Sequence, residues 1–252
     1  MRQQRAAADL CCPPVPKRME SYVRLFASGS SDARLATYPD LGKRPWYEPS
    51  EFSITSDLER HFGVICAELD ALNRELFHSE SERIGREGNW DVFLLYERGL
   101  KNQINCEQCE TTTRIIERHR TVRTIAGLSY FSRMSSGTHI KPHRGPTNLR
   151  LRCHLGLRVP CGDCGIRVDG ETRFWKPGKC LIFDDSFEHE AWNHTDSERI
   201  VLVVDLWHQD LTEPEVAILE GMHRYVLQHA EDLNVYWSGN EKARVAARRS
   251  FH

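Results

Sequence analysis

The sequence predicts a mostly β domain with flanking helices, its core a double-stranded β-helix of the jelly-roll, cupin-like kind. Three observations carry that expectation. Between residues 126 and 207 short β-prone segments follow one another, separated by Gly, Pro and Asp turns. No stretch of helical spacing interrupts them, which favours an antiparallel sandwich or barrel. On either side of this region the apolar period lengthens to about 3.6, which puts a helical flank before it and a helix after it.

In chain order, residues 1–16 (MRQQRAAADLCCPPVP) mix charge with prolines and lack an apolar core, so they read as a flexible, disordered arm and not as a secretory signal. Residues 17–44 form a lead-in, with a short helix in KRMESYVRLFA and a loop in SGSSDAR. The main domain spans 45–212, with its β core at about 126–207. It opens with SITSDLERHFGVICAELDALNREL (53–76), where Leu58, Phe62, Ile65, Leu69, Leu72 and Leu76 share one stripe and predict a core-packing helix. Ser56 and Glu59 offer a capping box for it. DVFLLYERG (91–99), AGLSYFSRM (126–134), the segment 149–159, CGIRV, ETRFW, GKCLIFD and RIVLVVDLW (199–207) predict strands. Residues 213–252 supply a C-terminal helix, about 213–234, and a tail packing on the domain, with Thr212 and Glu215 as the helix's capping box.

With 252 residues, 40% of them hydrophobic and 28% charged, the chain has the make-up of an ordinary globular protein with a sizeable core. A formal charge of −2 gives no electrostatic ground for a nucleic-acid partner. No apolar run approaches the roughly 18 residues of a membrane span, and a cytoplasmic enzyme is the default expectation. Nine cysteines, an odd number, then read mostly as free thiols. Cys106 with Cys109, and Cys161 with Cys164, have the C-x-x-C spacing of zinc ligands. The two pairs lie further apart than such sites usually allow. Structural zinc is therefore a weaker reading than unliganded turn cysteines, and a local disulfide is weaker still.

The segment 149–159 poses the functional question. Its odd positions, Leu149, Leu151, Cys153, Leu155, Leu157 and Val159, are apolar, whereas the even ones include Arg150, Arg152, His154 and Arg158. A strand with this alternation turns its leucines toward helices and two of its arginines, Arg150 and Arg152, with His154 inward. Buried guanidiniums need anions, which here are either protein carboxylates or a ligand. Two histidines bracket the β core, His143 in KPHRGP and His189 in DDSFEHE, and Arg199 opens the final strand. Two histidines followed by a late arginine is the order found in jelly-roll oxygenases that use ferrous iron and 2-oxoglutarate. His139, His194, His208 and His223 read as surface or packing residues.

From about RPWYEPSEF (44–52) to VVDLWHQDLT (203–212) the chain resembles the aspartyl/asparaginyl β-hydroxylases. SGTHIKPHRGPTNLRLRCHLGL and GKCLIFDDSFEHEAWN match that family's signature blocks almost throughout. The resemblance implies an Fe(II)- and 2-oxoglutarate-dependent dioxygenase, with ascorbate as an accessory reductant and His143 and His189 as the iron ligands. It implies that Arg199 and Ser132 hold the side-chain carboxylate of 2-oxoglutarate and that Arg152 and His154 contact the co-substrate near the metal. Met134 and Trp90 then line the same pocket, and Arg150 faces an acidic prime substrate.

These residue types suit those tasks. Neutral imidazole binds Fe(II), and an arginine with a hydroxyl clamps a carboxylate. Non-haem iron usually adds a carboxylate to two histidines, yet the position two after His143 is Gly145. That departure is shared with the family. Asp185, or in second place Asp184, is the expected carboxylate reaching a water at the vacated position.

The expected reaction hydroxylates an unactivated carbon with O2 and releases succinate and CO2. The resemblance points to the β-carbon of an Asp or Asn residue in a peptide, or to a small acidic or carrier-bound metabolite. It also extends to enzymes acting on lipids, so a lipid or natural-product substrate is the alternative. Residues 77–89 and 100–125 match the family least and leave that choice open. A non-catalytic jelly-roll binding protein and a zinc-stabilised interaction module are the readings from other classes. Intact His143, His189 and Arg199 count against the first.

Overall fold

The computed structural model describes residues 15–27, 37–80, 84 and 86–229. Nearly all of the arm expected over 1–16, the SGSSDAR loop and the tail beyond residue 229 lie outside the described residues. Two antiparallel sheets face one another. The larger runs β1 (Trp46–Tyr47), β11 (Cys180–Phe183), β8 (Arg150–Arg158), β13 (Arg199–Trp207), β6 (Leu128–Met134), β4 (Trp90–Glu97) and β2 (His78–Ser79), with β5 (Leu100–Lys101) paired to β4. The smaller runs β10 (Glu171–Phe174), β9 (Cys164–Val168), β12 (His189–Asn193), β7 (Thr138–His143) and β3 (Arg86–Glu87). From β6 to β13 the chain passes back and forth between the sheets. That winding makes the jelly roll the sequence predicts.

Period two gives the larger sheet two different faces. Its outer face, with Phe93, Phe131, Leu151, Leu155 and Leu202, is covered by α2 (Ser53–Arg60), α3 (Phe62–Ala71), α4 (Gln103–Gln108) and α5 (Glu110–Arg118). Its inner face, with Val92, Tyr130, Val201 and Val203, meets Ile140, Ile166 and Val168 of the smaller sheet. The C-x-x-C pairs are divided by this arrangement. Cys106 and Cys109 sit in the helix-side core, Cys164 lies between the sheets, and Cys161 is exposed.

The helix expected over 53–76 is two helices that meet at His61, followed by a single tight turn at Arg74–Leu76. Ser56 does not cap it. The helix starts earlier because the Pro49–Glu51 turn has its own capping box from Glu48 and Glu51, and the Thr55 hydroxyl sits at 2.7 Å from both the Pro49 and the Phe52 carbonyl. Glu59 is instead turned to the sheet, where it accepts from Lys179 Nζ at 2.7 Å and from the Cys180 N–H at 3.0 Å. Leu76 leaves the stripe and is exposed. The sequence alone marks no element at 103–118, where α4 and α5 form. Both are short. Asn102 caps α4, and Glu68 accepts the Thr111 and Thr112 N–H groups at the start of α5.

At one end of the sandwich α1 (Lys17–Ala27) and α6 (Glu213–Gln228) share a core that includes Met19, Tyr22, Tyr38, Leu149, Trp207 and Leu219. The capping box of Thr212 and Glu215 opens α6 as expected. Glu215 also accepts from Arg18 Nε at 2.8 Å and from the Tyr38 hydroxyl at 2.8 Å, with no exposed side-chain surface. The lead-in segment is thereby pinned to the last helix. Burial pushes the Glu215 carboxyl up, but Arg18, the Thr212 N–H and Tyr38 outweigh it and bring it down to about 2.

A carboxyl lowered in the folded state stabilises above its unfolded pKa, about 4.3, and loses that contribution as pH falls through its folded value. Glu215→Gln should therefore cost on the order of 3 kcal/mol at pH 7. The difference from the parent should shrink steadily between pH 4 and 2 in urea titrations. An equal loss at pH 7 and pH 2 would contradict this assignment.

Candidate active site

Neighbouring strands β7 and β12 set His143 directly opposite His189, with ring centroids 4.1 Å apart. The two rings are anchored alike. His143 Nδ1 donates to the Lys141 carbonyl at 2.7 Å, and His189 Nδ1 to the Phe187 carbonyl at 2.9 Å. A carbonyl can only accept, so each Nδ1 carries hydrogen and, in the neutral ring, each Nε2 carries the lone pair. Burial, with His143 alongside, brings His189 down to about 4 and keeps it neutral at ordinary pH. Two imidazoles fixed in this tautomer fit a divalent transition metal. No group of three His, Cys, Asp or Glu among the described residues is placed to hold a metal ion. The histidines open on a cavity of about 430 Å³ whose wall also includes Ile84, Arg98, Arg144, Gly145, Arg150, Arg152 and Asp185.

Arg150, Arg152 and His154 are all buried on the inner face of β8. Arg150 meets Asp185 at 2.8 Å and Asp205 at 3.0 Å, while Arg152 meets Asp205 at 2.9 Å and Asp185 at 3.4 Å. Arg150 also donates to the Ala126 carbonyl. Of the two anion sources the sequence leaves open, protein carboxylates neutralise both arginines. Asp205 comes from β13, opposite Arg152, and accepts the Leu128 N–H at 2.9 Å as well. Sequence reasoning missed it. The available sign was an acid inside the apolar run VLVVDLW, at the same parity as Arg199.

Asp185 closes on Gly145. The Gly145 N–H donates to the Asp185 carbonyl at 2.6 Å, and a Cβ at 145 would lie 2.6 Å from the Asp185 carboxylate carbon. The carboxylate thus fills the space a side chain at 145 would need. Burial pushes the Asp185 carboxyl up, but Arg150 and Arg152 prevail and hold it below the usual range. Asp184 points elsewhere and accepts the Ser186 N–H at 2.9 Å, with burial raising its carboxyl to about 6.

A second polar group on the same inner face is not neutralised. Arg199, 2% exposed, donates through Nη1 to Ser132 Oγ at 3.1 Å and to the Ser132 carbonyl at 3.2 Å, and it contacts the Met134 sulfur. Its guanidinium carbon lies 4.4 Å from the centroid of the Trp175 ring. Among the described residues no carboxylate pairs with it, and its Nε has no hydrogen-bond partner. Burial draws its pKa down to about 10. Trp90 Nε1 also donates to Ser132 Oγ, at 3.0 Å, so both lone pairs of that hydroxyl are engaged and its hydrogen remains to be given.

His154 stands between the two groups, acted on by Arg199, Arg152 and His189. Burial first, then Arg199 and Arg152, hold it far below the usual imidazole range, so it is neutral. Its Nδ1 accepts from Trp175 Nε1 at 3.2 Å, and its Nε2 is buried with no partner among the described residues. A buried cation and buried donors without protein acceptors fit an oxygen-bearing anion. Trp175, which touches both Arg199 and His154, ends the segment ETRFW expected as a strand; β10 stops at Phe174 and leaves Trp175 in the connection to β11. The four histidines read as surface or packing residues have side-chain partners: His139 with Glu190, His194 with Asp163, His208 with Tyr47 and His223 with Thr124.

Residues 59–209 match the family model described as aspartyl/asparaginyl β-hydroxylase. The chain is 42% identical over 179 residues to the aspartyl/asparaginyl β-hydroxylase of Mus musculus, covering 68% of this chain and 24% of that protein. It is 35% identical over 195 residues to aspartate β-hydroxylase domain-containing protein 2 of Xenopus tropicalis, covering 73% and 52%. It is 38% identical over 180 residues to the ornithine lipid ester-linked acyl 2-hydroxylase of Rhizobium tropici, covering 67% and 62%. The chain therefore spans less than two thirds of each of these relatives.

Removing Asp205 leaves two buried guanidiniums facing one carboxylate. Asp205→Ala should lower the unfolding free energy by about 3–5 kcal/mol, read from urea titration. An unchanged midpoint would mean that Asp185 alone satisfies both arginines.

Proposed function

Because the chain belongs to the aspartyl/asparaginyl β-hydroxylase family, we propose that it is an Fe(II)- and 2-oxoglutarate-dependent dioxygenase that hydroxylates an unactivated carbon. The observation that carries this reading is Arg199, a buried cation with no carboxylate partner among the described residues, beside a serine hydroxyl with a hydrogen to give. An uncompensated buried charge is strongly destabilising. The far carboxylate of 2-oxoglutarate is an anion that would relieve it.

His143 and His189 would hold Fe(II) through Nε2, their tautomers set by the Lys141 and Phe187 carbonyls. Bound Fe(II) and 2-oxoglutarate supply oxidative chemistry in which O2 gives one oxygen atom to succinate, formed with CO2, and the other to a C–H bond. The chain's own work is positional and electrostatic. Arg199 and Ser132 clamp one end of the co-substrate, with Trp90 holding the serine hydroxyl and Met134 against the guanidinium. His154 offers an Nε2–H, and Arg152, its charge balanced by Asp205 and Asp185, would contact the co-substrate as a hydrogen-bond donor. Asp185, kept ionised by Arg150 and Arg152, is the carboxylate available to water beside the metal.

Arg98 and Arg144 in the cavity wall favour an acidic prime substrate. Arg150 would face it with its charge already balanced by Asp185 and Asp205. The β-carbon of an Asp or Asn residue, in a peptide, a carrier-bound amino acid or a small metabolite, suits that wall. A lipid acyl chain is the second reading, favoured by the 38% identity to the ornithine lipid hydroxylase. No helix among the described residues is long and apolar enough to cross a membrane.

The test is anaerobic loading with Fe(II) and 2-oxoglutarate, then O2 with aspartyl peptides, free acidic amino acids or ornithine lipid, and measurement of succinate. His143→Ala and His189→Ala should abolish succinate formation. Arg199→Ala should raise the KM for 2-oxoglutarate about 100-fold, the loss of a charged hydrogen-bonded pair of roughly 3 kcal/mol. Succinate production that survives either histidine substitution would sink the site assignment.

A further inference from the structure

Trp175 belongs to the segment that returns the chain from β10 in the smaller sheet to β11 in the larger. That segment lies directly on β8. The Gly178 N–H donates to the Gly156 carbonyl at 2.8 Å, and the Gly156 N–H to the Lys179 carbonyl at 3.1 Å. A Cβ at Gly156 would collide with the Lys176 carbonyl, so glycine there permits the close approach. The approach brings one indole to two partners. Its N–H reaches His154 Nδ1 at 3.2 Å, and its ring face lies 4.4 Å from the Arg199 guanidinium carbon.

The chemistry of the indole makes this contact directional. Trp has a donor and no acceptor, so His154 Nδ1 must be the acceptor. In a neutral imidazole the single hydrogen then resides on Nε2. The same residue therefore turns His154 into a donor at a buried nitrogen without a partner among the described residues, and braces a guanidinium that among them meets no carboxylate. An Nδ1–H tautomer would instead present a lone pair, which repels a carboxylate. Phe183 meets the imidazole at 88° and 5.0 Å between centroids, limiting rotation without choosing the tautomer.

We propose that Trp175 is a positioning residue for the anionic co-substrate, setting His154 as an Nε2–H donor through its indole N–H and holding the Arg199 guanidinium on its ring face. This rests on the reading that His154 and Arg199 receive 2-oxoglutarate. Trp175→Phe keeps a smaller aromatic face beside Arg199 and removes the N–H donor. In the metal-free, 15N-labelled full chain, wild-type His154 should show a protonated Nε2 and an Nδ1 resonance displaced by an accepted hydrogen bond. In Trp175→Phe that displacement should vanish and the Nδ1–H tautomer should become detectable. Calorimetric titration of the anaerobic Fe(II) protein with 2-oxoglutarate should then show about tenfold weaker binding, as expected for one misdirected hydrogen bond. Gly156→Ala, which displaces the segment while leaving the indole intact, should produce the same nitrogen signature and serves if the Phe variant does not fold.

Unchanged His154 resonances, or unchanged 2-oxoglutarate affinity, in Trp175→Phe would overturn the role of Trp175. A wild-type chain that shows the expected tautomer yet binds no 2-oxoglutarate would overturn the co-substrate part of the proposal together with the dioxygenase reading, leaving the indole–imidazole contact as a structural one.

Discussion

Four buried charges, Arg150 and Arg152 on β8, Asp205 on β13 and Asp185 just past β11, hold one another between the sheets. Taking each out of water costs several kcal/mol, and the cost is offset only when every charge finds its counterion. Here each arginine meets both carboxylates. The contact has a structural consequence beyond neutrality, because Asp185 lies shortly before His189 and its carbonyl accepts from Gly145, shortly after His143. The cluster therefore ties both histidine-bearing strands of the smaller sheet to the larger one. The Asp185 carboxylate then occupies the volume over Gly145, so a side chain at 145 would compete with the cluster itself. The glycine in HRGP answers to Asp185 as much as to the histidine two positions before it.

Beside that neutral cluster, Arg199 is the exception. It is just as buried, yet its contacts are a serine oxygen, a carbonyl, a sulfur and an indole face. These contacts orient a guanidinium without cancelling its charge, and cation–π attraction compensates only part of the burial cost. The fold neutralises two arginines and, among the described residues, leaves a third without a carboxylate, an arrangement that suits an anion. The neutral cluster ties the two sheets together around the histidines, and Arg199 stands apart from it.

Much of this was legible because strands with one buried face write their register into the sequence. RIVLVVDLW forms a strand over the very span its pattern predicts, and the alternation from 149 separates helix-side leucines from the inward Arg150, Arg152 and His154, until a bulge opposite Ile200 and Val201 turns Arg158 away to Asp70 and Glu198. The capping box at Thr212 and Glu215 opens α6 because its two side chains act locally. Failures came where the deciding partner is remote. Ser56 and Glu59 have the right spacing for a cap, but Glu59 is drawn to Lys179 and Cys180 across the sheet. The pairing of Asp205 with both arginines depends on the β8–β13 register, which alternation along either strand alone does not reveal. Trp175 is the extreme case, since its contacts arise only when a turn closes over Gly156.

The same distinction explains why the prime substrate is harder to read than the chemistry. The histidines, Arg199, Ser132 and Arg152 stand on strands whose neighbours are hydrogen-bonded on both sides, so their relative positions follow from sheet register. The outer cavity wall is assembled differently. Ile84 precedes β3, Arg98 lies in the tight turn between β4 and β5 with a positive φ of 48°, and Arg144 lies between β7 and β8. Connecting segments tolerate exchange of side chains and length that strands do not. A rim built on such segments can change its charge and shape while the buried clusters stay fixed. The interior can thus keep its geometry while the rim varies what the cavity admits.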